Sequence, residues 1–310
     1  MSGFVSIGEC MIELSARNGQ CYHLGFAGDT FNTAWYVRGS LPYGYQVRYF
    51  TGFGDDLFSN EQREFFENNG IDVSYCVTIP GAQPGLYVVT LDEAGERTFT
   101  YWREVSAARN MGVSPARIRD CLVGADVAFF SGITLAILDV ETREIVLDSL
   151  RVSREFGVRV AFDPNYRSRL WSEPGEARYW YNQAQRVSDI ILATYDDEAE
   201  LYSDVSPESA IDRLASNGPT EIIIKNGGDY AALWYGRGVQ RVSAFKASVR
   251  DTTGAGDSFN GAYIASRIVG RDPLSSVHFG HHVAAKVVGK YGALMELRDV
   301  IELTRGVTHG

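Results

Sequence analysis

The sequence has little of what marks disulfide-rich, zinc-binding and membrane-spanning proteins. Its 310 residues include four cysteines, which lie far apart and form no C-x-x-C pair. The five histidines show no zinc-ligand spacing, and no apolar run approaches the roughly 20 residues of a membrane span. A G-x-S-x-G motif, which would indicate a serine hydrolase, is also missing. These absences exclude a disulfide framework and a membrane partner, and the cysteine pattern favours a cytoplasmic location.

Positive charge is scarce as well. The chain has 29 basic and 39 acidic residues, so its formal net charge is −10. A nucleic-acid-binding protein would favour a basic face, so no nucleic-acid partner is expected. An anionic ligand would have to be bound by local arginines and backbone N–H groups. The 32 glycines and 9 prolines show no repeat period, which excludes collagen-like and low-complexity chains.

Short apolar strands alternate with helix-length segments along most of the chain. The predicted strands are 4–8, 47–51, 127–131, 158–163, 190–194 and 221–225. This alternation predicts an α/β fold, a three-layer α/β/α sandwich with a mostly parallel sheet. Residues 85–91 and 97–103 are rich in β-branched and aromatic residues and predict a β-hairpin. We expect a small β-sheet lid, formed approximately by residues 11–26 and 76–104, inserted in a single domain of residues 1–310.

The most informative segment is Asp251-Thr252-Thr253-Gly254-Ala255-Gly256-Asp257. Apolar residues at i, i+3 and i+4 from Phe259 predict a helix that begins at these glycines. A helix start leaves N–H groups unpaired, which makes an anion hole strengthened by the helix dipole. The N–H groups in question are those of Gly254, Ala255, Gly256 and Asp257. The Asp257 carboxylate suits a general base that takes the proton of a hydroxyl attacking a γ-phosphate. Alternatively, Asp257 caps the helix and the glycines only form a turn.

The string from Asp251 to Gly261 resembles the C-terminal signature of the ribokinase-like (PfkB) carbohydrate kinases, in which DTxGAGD forms the anion hole and supplies the catalytic aspartate. Further segments carry the resemblance from near residue 5 to Ala293. They include GECMIEL at 8–14, GDTFNT at 28–33, GERTF at 95–99, YWR at 101–103 and DPNYR at 163–167. Within the family, the similarity is to the bacterial branch that acts on 2-keto-3-deoxygluconate. The resemblance implies the ribokinase-like fold, ATP with Mg²⁺, and phosphorylation of that sugar acid at its C6 hydroxyl, giving 2-keto-3-deoxy-6-phosphogluconate and ADP.

The resemblance also implies a substrate site. Its residues are Gly28, Asp29, Asn32, Tyr87, Tyr101, Arg103, Arg167 and Asp257. Ala27 stands where the family has the first glycine of a Gly-Gly motif. Tyr101 and Arg103 are two apart in a strand and therefore project from the same face. An arginine there suits the carboxylate of an acidic sugar, and a neutral sugar would leave it unpaired. The alternatives are that Asp29 is only a helix N-cap and that Arg103 is a solvated edge charge.

The nucleotide site is expected beside it, on residues that the resemblance also supplies. They are Asn165, Arg167, Lys225, Gly227, Gly228, Gly254, Ala255 and Gly256. A bare K-x-G-G at Lys225 describes a simple hairpin turn equally well. Many relatives have an N-x-x-E motif, and this chain has Thr194 and Asp197 at the same spacing. Asp197 or Glu198 is therefore the candidate to hold a metal-bound water, and no direct metal ligand is assigned. Asp251 resembles a position linked to monovalent cations, which leaves potassium activation open.

Two alternative functions are left open beside a kinase for 2-keto-3-deoxygluconate. A sister kinase for fructose or ribose would share the anion hole and differ in the lid. A non-catalytic sugar or nucleotide sensor would bind without turnover. The resemblance further implies a homo-oligomer that pairs through the lid.

Overall fold

The computed structural model describes residues 3–17, 21–91 and 97–307. Its strands are β1 (Gly3–Ile7), β2 (Met11–Arg17), β3 (Cys21–Ala27), β4 (Gln46–Phe50), β5 (Gly52–Phe53), β6 (Val77–Thr78), β7 (Leu86–Leu91), β8 (Arg97–Trp102), β9 (Val127–Ser131), β10 (Arg159–Asp163), β11 (Ile190–Thr194), β12 (Glu221–Asn226), β13 (Tyr230–Trp234) and β14 (Gln240–Ser243).

Its α-helices are α1 (Asp29–Ser40), α2 (Leu57–Asn68), α3 (Pro115–Leu122), α4 (Gly132–Ile137), α5 (Val140–Glu155), α6 (Pro174–Arg186), α7 (Tyr195–Tyr202), α8 (Pro207–Ala215), α9 (Ala255–Ile268), α10 (Pro273–Val287) and α11 (Leu297–Val307). Short 3₁₀ helices cover Ala107–Val113 and Ser168–Leu170. None of the helices in the described part of the chain is long and apolar enough to cross a membrane.

The main sheet has eight strands in the order β14-β13-β12-β11-β10-β9-β1-β4. The six strands from β12 to β4 run parallel, and β13 and β14 are antiparallel at one edge. All six strands predicted from the alternating pattern belong to the parallel part. The predicted α/β architecture is therefore confirmed.

Helices cover both faces of this sheet and enclose a hydrophobic core on each. In β9, Ala128 and Phe130 pack into one core, while Val127 and Phe129 pack into the other. Because successive side chains of a strand point to opposite faces, a strand buried on both sides must be apolar throughout. This is why these strands appear in the sequence as continuous apolar runs.

The second, smaller sheet has the order β3-β2-β7-β8. The predicted hairpin is formed by β7 and β8, which pair antiparallel from Leu86 opposite Trp102 to Leu91 opposite Arg97. Its predicted loop, 92–96, lies outside the described residues. Residues 76–84 of the predicted lid range form no strand of this sheet, and Gly85 contacts it through its carbonyl, which accepts from the Ile12 N–H at 2.8 Å. There β6 pairs with β5 instead, so the segment leads up to the small sheet from the α/β body.

Candidate active site

A cleft of about 720 Å³ lies between the carboxyl ends of the main-sheet strands and one face of the small sheet. This is the edge of a parallel sheet where α/β proteins bind ligands. Every residue predicted for the substrate site lines it: Gly28, Asp29, Asn32, Tyr87, Tyr101, Arg103, Arg167 and Asp257. The fold therefore brings together side chains that are up to 229 positions apart in the sequence, since Gly28 and Asp257 face the same space.

Asp257 is the third residue of α9, and its carboxylate accepts a hydrogen bond from Nδ2 of Asn32 at 2.8 Å. Burial raises the pKa of Asp257 to about 7, and the negative charges of Asp29 and Asp163 act in the same direction. A carboxylate with a pKa near neutrality accepts a proton more readily than an ordinary aspartate does. The arrangement suits a general base held in one orientation by Asn32.

The glycine-rich turn before α9 has the expected form in part. Gly254 adopts a left-handed conformation (φ 74°), and a Cβ there would lie 2.6 Å from the Ala293 carbonyl oxygen, so both backbone shape and space require glycine. The N–H of Ala255 donates to Thr252 O at 3.2 Å, so the prediction that it is unpaired is wrong, because the turn closes on itself one residue early. Among the described residues, Gly254, Gly256 and Asp257 have no backbone acceptor for their N–H groups, and these three remain available to an anion.

The start of α1 forms the opposite wall. Gly28, not Asp29, is the N-cap, and it makes no side-chain cap, so the alternative that Asp29 only caps the helix is wrong. The Asp29 carboxylate instead accepts from Nδ2 of Asn165 at 2.8 Å, across the cleft floor. A Cβ on Gly28 would collide with the Glu9 carbonyl, so glycine is needed there for backbone packing as well as for access by a ligand.

The small sheet contributes an aromatic face to the cleft. Tyr87 and Tyr101 stack with their ring centroids 5.6 Å apart, and the Arg169 guanidinium lies 4.1 Å from the Tyr101 ring centroid. The Tyr87 hydroxyl donates to Glu13, and burial together with that carboxylate raises its pKa. The two tyrosines thus form a preorganised platform against which a sugar can pack.

Arg103 differs most from expectation. It is 8% exposed, so it is not a solvated edge charge, and its Nη2 is paired with the carboxylate of Glu9, which also accepts from Ser106. The premise that a neutral sugar would leave Arg103 unpaired is therefore wrong. Glu9 is a site residue that sequence reasoning missed. Its signal was a carboxylate between two apolar strands, at a position where a charge is costly unless it is paired.

A second cleft of about 570 Å³ adjoins the first, sharing Lys225 and Gly256 with it. Gly227, Gly228 and Ala255 line this second cleft, so the predicted nucleotide residues are divided between the two spaces. The Lys225 segment is also a hairpin turn, because β12 and β13 pair antiparallel around it. The K-x-G-G segment is thus a hairpin turn that lines the second cleft.

Lys225 is fixed between the two clefts by a buried network. Its Nζ lies 3.2 Å from Oδ2 of Asp163 and 2.9 Å from Oδ1 of Asn260, which itself donates to Asp163 at 2.6 Å. A Cβ on Gly256 would lie 3.7 Å from that Nζ, which places the ammonium beside the glycine turn. Asp163 also accepts from the N–H of Asn165, and this holds the predicted Asn165 at the cleft.

Arg167 and Asp197, which both line the first cleft, pair at 3.2 Å. Burial raises the pKa of Asp197 to about 6, against the opposing effect of Arg167. Glu198, the other acidic residue considered for a metal-bound water, is buried against Arg213 at 2.5 Å and does not line either cleft. No cluster of three or more metal-ligating side chains is found in residues 3–17, 21–91 and 97–307.

Asp251 is the centre of a further group of contacts that sequence reasoning did not anticipate. Its carboxylate accepts from the Thr253 N–H (3.0 Å), the Thr253 hydroxyl (2.7 Å) and the Gly292 N–H (2.6 Å). It also forms an ion pair with Arg97 of the small sheet at 2.8 Å. The position that resembles a cation-linked site thus has a guanidinium bound to it.

Comparisons with known proteins show the family to which this chain belongs. Residues 1–298 match the model of the pfkB family carbohydrate kinases. The 2-dehydro-3-deoxygluconokinase of Escherichia coli is 38% identical over 296 residues, covering 93% of this chain and 96% of that protein. That of Dickeya dadantii is 38% identical over 298 residues, covering 94% and 96%.

Solved structures show the same fold. Aminoimidazole riboside kinase from Salmonella enterica superposes with a TM-score of 0.84 at 23% identity, covering all of both chains. Fructokinase from Vibrio cholerae, in a form with fructose, ADP and calcium ion bound, gives 0.84 at 24% identity over 96% of each. The matched length and the identity to curated relatives show that this chain belongs to the pfkB family of carbohydrate kinases.

Proposed function

We propose that the protein transfers the γ-phosphoryl group of ATP to the C6 hydroxyl of 2-keto-3-deoxygluconate, the compound also called 2-dehydro-3-deoxygluconate. The observation that carries the proposal is the position of Asp257. Its carboxylate, with a raised pKa, faces the cleft of the tyrosine platform at the start of α9, where the N–H groups of Gly256 and of Asp257 itself are free. The similarity to two bacterial 2-dehydro-3-deoxygluconokinases supports the choice of sugar.

In this mechanism the chain's own residues supply a general base and groups that stabilise the negative charge of the transferred phosphoryl group. Asp257, held by Asn32, accepts the proton of the C6 hydroxyl as that oxygen attacks phosphorus. The N–H groups of Gly256 and Asp257 and the ammonium of Lys225 stabilise the negative charge on the transferred group. The two clefts meet at Gly256, which is where the sugar and the terminal phosphate have to meet.

The sugar acid is held by the residues of the first cleft. Gly28, Asp29 and Asn32 face its hydroxyls, and Tyr87 and Tyr101 face its carbon chain. One Nη of Arg103 is bound to Glu9, and its Nε is buried without a partner among the described residues, so we assign the contact with a ligand oxygen to the other Nη. Arg167 also lines the cleft, where it can contact the carboxylate or the phosphate. Because Glu9 already neutralises Arg103, a neutral sugar remains the second candidate.

ATP is proposed for the second cleft, with its phosphates directed at Lys225 and the glycine turn. Mg²⁺ enters with ATP and keeps most of its waters, since the described residues include no ready-made ligand cluster. When bound, the ion neutralises phosphate charge, and Asp197 is the cleft carboxylate able to hold one of its waters. The four cysteines form no disulfide, which suits the cytoplasm, where ATP is abundant.

The test is ADP formation with ATP and Mg²⁺ in the presence of 2-keto-3-deoxygluconate, gluconate, fructose, ribose or no sugar. We expect kcat/KM for the keto-deoxy acid to exceed that for the neutral sugars by at least about 100-fold, because Arg103 and Arg167 line the cleft and each has N–H donors beyond those used in its ion pair, which a neutral sugar would leave without a carboxylate. A preference for fructose or ribose would support the sister kinase. Tight binding without any turnover would support the sensor.

We further propose that the protein is a homo-oligomer through the small sheet. The face turned away from the cleft exposes Tyr22, Leu24 and Trp102, which are 49%, 37% and 53% exposed. Apolar residues grouped on one exposed face often mark an interface. We expect light scattering to give at least twice the chain mass of 34.3 kDa, and Leu24→Glu combined with Trp102→Glu to give a monomer. A monomeric wild-type protein would contradict this proposal.

A further inference from the structure

We propose that Arg97 is a positioning residue that ties the small sheet to the phosphate-binding turn, so that closure over the sugar and ordering of that turn occur together. The inference rests on the proposed kinase function. It concerns a residue that lies outside both clefts and that the sequence did not single out for a role.

Arg97 projects from the face of the small sheet that lines the substrate cleft. It begins β8, and residues at intervals of two in a strand share a face. Phe99, Tyr101 and Arg103 line the substrate cleft, so Arg97 is on the same face. It lies at the far end of that strand from Arg103, and there it reaches the loop before α9.

Arg97 contacts two residues of the loop before α9. Its Nη2 lies 2.8 Å from Oδ2 of Asp251, and its Nη1 donates to the Thr253 hydroxyl at 3.0 Å. The two ends of one planar guanidinium therefore hold two residues of one loop. Thr253 is followed directly by Gly254, whose left-handed backbone begins the glycine turn. A displacement of Thr253 would be transmitted to the free N–H groups of that turn.

Arg97 neutralises the buried charge of Asp251. Its side chain is 3% exposed, and Arg97 is its ion-pair partner in the described part of the chain. The same carboxylate binds the N–H groups of Thr253 and Gly292, which join the loop to the segment behind it. When the small sheet moves away, Asp251 loses its counter-ion in a place with little water, which is costly. The closed sheet and the ordered loop therefore stabilise each other, and such coupling is reciprocal.

The first test uses amide hydrogen exchange in the ligand-free protein, with the N–H groups of Thr253 and Gly292 as reporters. We expect Arg97→Ala to speed their exchange at least fivefold and Arg97→Lys to restore part of the protection, since lysine keeps the charge but not the two-pronged contact. Thr100→Ala, an exposed position in the same strand, is the control and should change nothing. Unchanged exchange in Arg97→Ala would overturn the proposal.

The second test measures the coupling by calorimetry with a non-hydrolysable ATP analogue. In the wild type, saturating sugar should lower the Kd of the analogue about fivefold or more, whereas in Arg97→Ala the sugar should have no effect on that Kd. A merely structural arginine would weaken binding without removing this dependence, and a retained dependence contradicts the proposal. The exchange experiment needs no ligand, so a wrong sugar assignment would not be mistaken for failure of the Arg97 proposal.

Discussion

Asp257→Asn is expected to lower kcat by about 100- to 10,000-fold while leaving sugar and nucleotide binding within a few-fold of the wild type. The amide keeps the shape of the side chain and an acceptor for Asn32, but it cannot take the proton of the attacking hydroxyl, and loss of a general base costs about 10² to 10⁴ in rate. Steady-state kinetics and equilibrium binding of 2-keto-3-deoxygluconate measure the two effects separately. Near-normal kcat would remove Asp257 from the chemistry.

The same substitution should make the protein more stable at alkaline pH. Burial and neighbouring carboxylates raise the pKa of Asp257 from 3.8 to about 7 in the folded protein, so ionising it opposes folding. The folded state binds the extra proton between these two values, and the free energy of unfolding therefore falls as pH rises from about 4 to 7. At pH 8 we expect Asp257→Asn to exceed the wild type by up to about 4 kcal/mol, with the difference nearly gone at pH 4.

Urea unfolding at several pH values tests that difference. Asp212→Asn, an exposed substitution of the same kind on α8, is the matched control and should leave both stability and rate unchanged. A wild-type protein that is as stable as Asp257→Asn at pH 8 would show that the Asp257 carboxylate is not held in an unfavourable environment. The general-base assignment would then lose its electrostatic support.

The second large effect is expected at the buried ion pair of Glu9 and Arg103. Replacing either residue alone by alanine leaves the other charge buried and unpaired, which we expect to lower the free energy of unfolding by about 3 to 5 kcal/mol. Replacing both should cost clearly less than the sum of the two single variants, because no uncompensated charge remains. Equilibrium unfolding of the four proteins gives this coupling directly.

An exposed pair provides the comparison. Lys290 and Asp299 lie 2.5 Å apart with side chains 48% and 33% exposed, and breaking this pair should lower the free energy of unfolding far less than breaking the buried one, because solvent screens it. Additive losses for Glu9→Ala and Arg103→Ala would contradict the account of Arg103 as a residue held in place by Glu9. For activity, Arg103→Lys is the useful variant, since it keeps a charge beside Glu9 while it removes the forked set of donors.

Local sequence signals predicted most of the architecture. The continuous apolar runs predicted strands buried on both faces. The β-branched and aromatic residues around 85–103 predicted the hairpin, and the ends of its two strands agree with the structure to within one residue. The glycine turn and the helix after it were predicted in the same way, because their backbone requirements depend on neighbouring residues. Gly254 is the clearest case, since its positive φ and its packing against Ala293 both exclude a side chain.

The pairings between distant residues were not predictable in this way. Arg103 and Glu9 are 94 positions apart, and Arg97 and Thr253 are 156 apart, so the partner of each arginine depends on how the two sheets pack. The error over Arg103 has this origin, since a strand pattern shows which way an arginine points but not which carboxylate meets it. Arg97 could have been singled out, because it shares a strand face with Tyr101.

The central claim is that the protein phosphorylates the terminal hydroxyl of an acidic sugar. The most direct measurement is the proton-coupled ³¹P spectrum of a reaction containing the protein, ATP, Mg²⁺ and 2-keto-3-deoxygluconate. We expect one new phosphate monoester that appears with ADP in equal amounts and is split into a triplet by the two protons on C6. A doublet from an ester on a secondary carbon, inorganic phosphate alone, or unchanged ATP would contradict the account.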